Sequence, residues 1–168
     1  MSIYKRVCVK SGTYFFTLVT YKRKPVFAHE ENILHLKKAF SHVNEKHPFA
    51  IKAIVILPDH IHTIWTLPKE TSDYSTRWRL IKHFFSCQNI NSSDNKIWQP
   101  RFWEHLIRNE DDLKNHIDYI HFNPVKHSLV TSPIEWQHST FKSFFERGLY
   151  EENWGIQTPL NIKNLHIE

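Results

Sequence analysis

Two apolar runs separated by two residues restrict this chain more than anything else in it. Ala53-Ile54-Val55-Ile56-Leu57 stops at Pro58-Asp59, and a second run, HIHTIWTL (60–67), begins at once. Segments this short, rich in β-branched and aromatic residues and broken by a turn dipeptide, read as antiparallel strands, 49–57 and 60–67. The other elements arrange themselves around that hairpin. Tyr14 to Thr20 (YFFTLVT) reads as a strand. Glu30 to Lys46 carries Ile33, Leu36, Phe40 and Val43 at helical spacing, and Ser75 to about Cys87 carries Trp78, Ile81 and Phe85 on one stripe. Phe102 to Ile107 is a short strand. Asn109 followed by acids is a helix N-cap, and Pro124 sets the expected helix end near Phe122.

The resulting order is β-α-β-β-α-β-α plus a tail. Its first six elements match the split βαβ pattern. The expected fold is α+β: a ferredoxin-like, RRM-like antiparallel sheet with helices packed on one face and an irregular C-terminal tail. RNA-binding RRM domains share this plan, so the fold alone assigns no function.

The chain has 168 residues, the size of one domain, and is 40% hydrophobic and 14% aromatic, which excludes a disordered chain. Its formal charge of +5 permits a polyanionic partner without requiring one. The two cysteines, Cys8 and Cys87, form no CxxC pair, which excludes a zinc ribbon. No window reaches the roughly 20 apolar residues of a membrane span. A cytoplasmic protein in a reducing compartment, without a membrane partner, is expected.

On a strand, residues i and i+2 share a face, so His60 and His62 hold two imidazoles side by side, as a metal ion requires. The spacing alone is weak, because 13 histidines in 168 positions generate about one His-x-His by chance. Its placement at the start of a strand, just after the turn, carries the weight. Asp59 either makes the turn or orients a ligand histidine.

In the helix that begins after Asn109, Leu113, Ile117 and Ile120 form one stripe, read as the core-facing one. Asp112, His116, Tyr119 and Asn123 form a second stripe beside it. A tyrosine in such a place is ordinarily a packing residue with a wet hydroxyl. If this helix packs near His60 and His62, one site gathers two imidazoles, an amide oxygen and a phenol. A metal held there polarises a phosphoryl oxygen, and the phenol attacks phosphorus. His116 is a candidate proton carrier or ligand. Cations interleaved with aromatics suit single-stranded nucleic acid. Tyr4, Lys5 and Arg6 form one such group; Arg77, Trp78, Arg79 and Lys82 a second; Arg101, Phe102 and Trp103 a third. Trp78 is read as core, and one of Phe102 and Trp103 as buried.

The chain resembles the REP-associated tyrosine transposases, a branch of the single-tyrosine HUH transposases. The resemblance rests on YKRVCVKSGTYFFTLVT, VILPDHIHTIWTLP, STRWRLIK, IWQPRFWEHLIRNEDDL, DYIHFNPVKHSLV and STFKSFFERGLYEENW, and covers nearly the whole chain. It implies that His60 and His62 are metal ligands, that Tyr119 is the nucleophile, and that Asn123 is the third ligand, where many relatives carry glutamine. It implies Mg²⁺ or Mn²⁺ as the metal. The implied substrate is single-stranded DNA beside REP-type hairpins, cleaved through a 5′-phosphotyrosine and rejoined without ATP. It further implies a catalytic core over residues 1–130, a tail over 131–168 packed on it, and a monomer, with the dimer of mobile relatives as the alternative. The rival readings are a catalytically silent hairpin-binding module, a metal-dependent hydrolase in which water attacks, and a replication-initiator or relaxase nuclease.

Overall fold

The computed structural model describes residues 5–88, 96–165 and 167. Tyr4, expected to touch DNA, lies outside the described residues. Four antiparallel strands, β1 (Thr13–Val19), β2 (Ala50–Ile56), β3 (His60–Thr66) and β4 (Trp103–Leu106), form one sheet in the order β2-β3-β1-β4. This is the order of a ferredoxin-like sheet, with α1 (Glu30–Lys46) and α2 (Tyr74–Gln88) as its two crossovers. The hairpin between β2 and β3 closes on Pro58-Asp59, where the Leu57 N–H donates to the His60 carbonyl.

α1 and α2 lie together on one face. Tyr14, Phe16 and Leu18 from β1, with Ile61 and Trp65 from β3, meet Ile33, Leu36, Phe40 and Val43 of α1 and Tyr74, Trp78, Ile81 and Phe85 of α2. The indoles of Trp65 and Trp78 stack with centroids 4.1 Å apart at 23°, which places Trp78 in the core.

The third long helix, α3 (Glu110–Lys126), departs from the one-face expectation. It covers the opposite face, where Tyr119, Ile120 and Phe122 pack on Phe15, Val55 and Ile64. The reason lies in the two central strands. β1 and β3 are buried along nearly their whole length on both sides, so the second face also needs a cover, and α1 and α2 already fill the first.

α3 also differs in extent. Asn109 caps it as expected, its Oδ1 accepting from the Asp112 N–H at 2.8 Å. It does not end near Phe122. Pro124 sits inside it, and the turn closes beyond, with the His127 N–H donating to the Asn123 carbonyl at 3.0 Å. A proline there removes only the bond to the Ile120 carbonyl, one turn from the helix end. The tail forms a short helix, α4 (Phe141–Glu146), and covers the outer edge of β2. The Ile56 N–H donates to the His138 carbonyl, and the Thr140 N–H to that of Ile54, which protects an otherwise open sheet edge. A partly buried chain of hydrogen bonds fastens the tail to α3: Thr140 to His121, His121 to Tyr150, and Tyr150 to Asp118. His121 is thus structural, and burial pushes its imidazole down to about 3. Among the described residues no helix is long and apolar enough to cross a membrane.

Candidate active site

Strand alternation puts Ile61 and Trp65 into the first core and turns His60, His62 and Ile64 toward α3. The two imidazoles lie with centroids 4.9 Å apart. Each commits its Nδ1 to a neighbour. That of His60 is 2.6 Å from Asp59 Oδ1, and that of His62 is 2.8 Å from Thr17 Oγ1 on the adjoining strand. Asp59 also pairs with Arg23 at 3.3 Å. Burial pushes the Asp59 carboxyl up, but His60 and Arg23 outweigh it and hold the group below its ordinary value. Asp59 thus sits in the turn with its carboxylate against both the His60 ring and Arg23.

Tyr119 stands over this pair, its ring centroid 5.3 Å from that of His62. Lys126 Nζ donates to the phenolic oxygen at 2.9 Å and lies 4.9 Å from the ring centroid. One turn on, Asn123 is fully buried. Its Nδ2 reaches the Tyr119 carbonyl at 3.4 Å, while Oδ1 is a buried acceptor with no hydrogen-bond partner among the described residues. A buried amide oxygen in that condition is costly unless a cation or donor meets it. The expected core stripe of α3 holds at Ile120, which is fully buried, but the second stripe turns inward as well. Leu113 and Ile117 are only partly buried, at the margin with Trp154 and Leu165, whereas His116, Tyr119 and Asn123 are buried. Polar residues face the sheet because the sheet presents polar groups there.

His116 belongs to a separate cluster. Its Nδ1 lies 2.8 Å from the Asp112 carbonyl and 3.1 Å from Asp112 Oδ1, and His105 Nε2 lies 2.9 Å from Asp112 Oδ2. These three residues bring ligand-type atoms within 4.8 Å of one another, as a metal site does. Their atoms already satisfy one another, however, and Asp112 accepts from the Arg108 N–H as well. Burial pushes the His116 imidazole below its ordinary value, which favours the neutral ring. The Asn123 Oδ1, by contrast, is a buried acceptor without a hydrogen-bond partner among the described residues, a donor atom that a cation would satisfy.

A cleft of about 670 Å³ opens onto Tyr119 and Lys126, walled by Ile156, Gln157, Thr158 and Lys163 of the tail. Most of the expected DNA-contacting cations lie elsewhere. Arg77 is 5% exposed and donates to the carbonyls of Pro48 and Asp73. Lys82 turns inward to the Gln99 carbonyl at 3.2 Å, and desolvation, then Arg6, push its amine down to about 8. Arg6 bonds Ser75 and lies over the Phe102 ring at 4.2 Å. These residues pack on the α2 side of the sheet, away from Tyr119. Lys5, Arg79 and Arg101 are exposed. Trp103 is exposed as well, while Phe102 is the partly buried member of that pair.

Three residues of the site carry no sequence signal that points to them directly. Thr17 meets His62 only through the β1–β3 register. His127, with its ring 4.9 Å from that of His60, follows the end of α3. Lys126 stands seven residues after Tyr119, two helical turns, a spacing that would have exposed it had Pro124 not marked an earlier end.

The family model for IS200-like transposases matches residues 8–123. The chain is 45% identical over 156 residues to the REP-associated tyrosine transposase of Escherichia coli (strain K12), covering 92% of this chain and 91% of that protein. It is 40% identical over 174 residues to a relative from Haemophilus influenzae, covering 97% and 98%. The solved structure of a REP-associated tyrosine transposase bound to a REP hairpin superposes with a TM-score of 0.84 at 42% identity, over 96% of each chain. The chain therefore belongs to the IS200-like transposases and, within them, to the REP-associated single-tyrosine HUH enzymes. That family membership implies a divalent metal.

Proposed function

We propose that this enzyme cleaves and rejoins single-stranded DNA beside REP-type hairpins, with Tyr119 as the covalent nucleophile. The observation that carries the proposal is the 5.3 Å approach of the Tyr119 ring to His62, with a lysine ammonium on the phenolic oxygen. His60 and His62, each donating its Nδ1 proton to Asp59 or Thr17, would hold Mg²⁺ or Mn²⁺ through Nε2, with Asn123 Oδ1 as third ligand. When bound, such an ion polarises a phosphoryl oxygen.

The chain's own groups account for the rest. The Lys126 ammonium stabilises negative charge on the Tyr119 oxygen as its proton leaves to water. That oxygen bonds to phosphorus, the P–O3′ bond breaks, and the electron pair departs with O3′, which takes up a proton. The products are a 5′-phosphotyrosine and a free 3′-OH. Because the phosphotyrosine keeps the bond energy, the reverse attack by a 3′-OH rejoins strands without ATP. All the named groups come from one chain, within the proposed core of residues 1–130, so a monomer suffices.

The test is to incubate a labelled single-stranded REP hairpin with the protein and Mn²⁺, then run a denaturing gel. A protein-linked labelled band that Tyr119→Phe lacks is the expected result. Cleavage without a band at any time would favour attack by water. Binding with neither cleavage nor band would favour a silent binding module.

A further inference from the structure

We infer that Trp103 is a stacking platform for an unpaired base of the substrate strand, adjoining the linkage that Tyr119 attacks; this rests on the reading just given. The pairing registers put Val55, His62, Thr17 and Trp103 in one row across the sheet. Paired residues project to the same face, so Trp103 shares the α3 side with His62. At about 4.8 Å per strand, its Cα lies roughly 10 Å from that of His62. Side chains link the two. Phe15 stacks on His62 at 5.5 Å, and Trp103 meets Phe15 edge-on at 5.8 Å.

The surroundings of Trp103 are those of a prepared surface. The His105 ring lies parallel to the indole, 8° off, at 6.0 Å. His105 in turn stacks on His116 at 4.6 Å, and Asp112 fixes it through Nε2. The indole is thus braced beneath and at its edge, yet the residue remains 38% exposed in a row whose other members are buried. No folding requirement explains a large aromatic ring left open at a sheet edge next to a catalytic row.

Two exposed cations stand beyond the two ends of β4. Arg101 is exposed, and the Arg108 side chain is 72% exposed, with Asp112 3.6 Å from its Nε. An open aromatic ring on a strand that has an exposed arginine before it and another after it suits a single strand, whose bases need flat partners and whose phosphates need cations. The otherwise unexplained His105–Asp112–His116 cluster gains a purpose here: it stiffens the platform from below.

The test uses Tyr119→Phe protein, so that binding is read without cleavage. Affinities are measured by fluorescence anisotropy for a labelled REP hairpin with a single-stranded flank. They are measured again for the same oligonucleotide with one abasic site moved along the flank. One abasic position should weaken binding by about 5- to 150-fold when Trp103 is present. Adding Trp103→Ala should weaken binding of the intact strand by a similar factor and erase the penalty at that position alone, while Trp103→Phe should restore most of it. An unchanged abasic profile in Trp103→Ala overturns the inference, even if the wild-type enzyme forms its covalent adduct. A lost penalty at one position without any adduct from the wild type sinks the nucleophile reading and leaves the platform standing. No hairpin binding by the Tyr119→Phe parent overturns both.

Discussion

Lys126 and Thr17 each touch a proposed catalytic group, Lys126 the Tyr119 oxygen and Thr17 the His62 ring. The lysine ammonium sits 2.9 Å from the Tyr119 oxygen, on which charge develops in the proposed mechanism. Lys126→Met keeps the length of the side chain and removes the charge. Single-turnover cleavage should fall by about 100-fold while hairpin affinity changes little, because the lost interaction matters chiefly in the transition state. Thr17 acts one step further out. Its hydroxyl holds His62 Nδ1 at 2.8 Å, and outer partners of this kind are worth about 10- to 100-fold in metal affinity. Thr17→Val, nearly the same shape, should raise the Mn²⁺ concentration for half-maximal cleavage by that factor. The maximal rate at saturating metal should stay close to wild type.

At the scale of the element, α3 separates what the sequence discloses from what it hides. Its start was legible, because an asparagine cap followed by acids is a local signal. Tyr119 and Asn123 were legible as neighbours on one helix face, because four residues make about one turn. Its end was hidden. Pro124 is a breaker by every local criterion, yet packing against Phe15, Val55 and Ile64 holds the helix through it. The burial of the polar stripe was hidden too, since the leucine–isoleucine stripe, of which Ile120 is fully buried, is the one a local pattern sends to the core. The sheet's own polar groups, His62 and Thr17, explain why His116, Tyr119 and Asn123 are buried beside Ile120, and their alignment is a matter of register between distant strands.

α2 teaches the complementary lesson, since its Lys82 reads as a surface cation but turns inward. Desolvation first, then Arg6, hold its folded value at about 8, against 10.5 in an unfolded chain. The unfolded state therefore binds more protons between those values, and stability rises with pH across that window. The contribution is complete above the unfolded value and is lost as pH falls through the folded one. Urea unfolding between pH 8 and 10 should show wild type gaining up to about 1.4 kcal/mol per pH unit relative to Lys82→Met. A pH-independent difference between the two would mean that Lys82 titrates normally.

For the whole molecule, the sheet sorts the basic residues into two populations with different duties. The formal charge of +5 treats all 22 Lys and Arg residues alike, but the fold does not. Arg77 is buried on the α2 side with its guanidinium spent on two backbone carbonyls. Arg101 is exposed just before β4, on the edge that leads to Trp103. Counterion release makes the logarithm of affinity fall linearly with the logarithm of salt, with a slope of about 0.9 per neutralised phosphate. Arg101→Ala should therefore reduce the salt slope of hairpin binding by about 1 and leave urea stability nearly unchanged. Arg77→Met should do the reverse. Its slope should match wild type, while stability falls by about 1–3 kcal/mol, because the Pro48 and Asp73 carbonyls lose a buried donor. Anisotropy titrations at 50, 100 and 200 mM salt, paired with urea curves on the same preparations, measure both quantities. If Arg77→Met lowered the slope instead, the bound strand would have to reach the α1–α2 side of the sheet, away from Tyr119. The division of labour between the two faces would then be wrong.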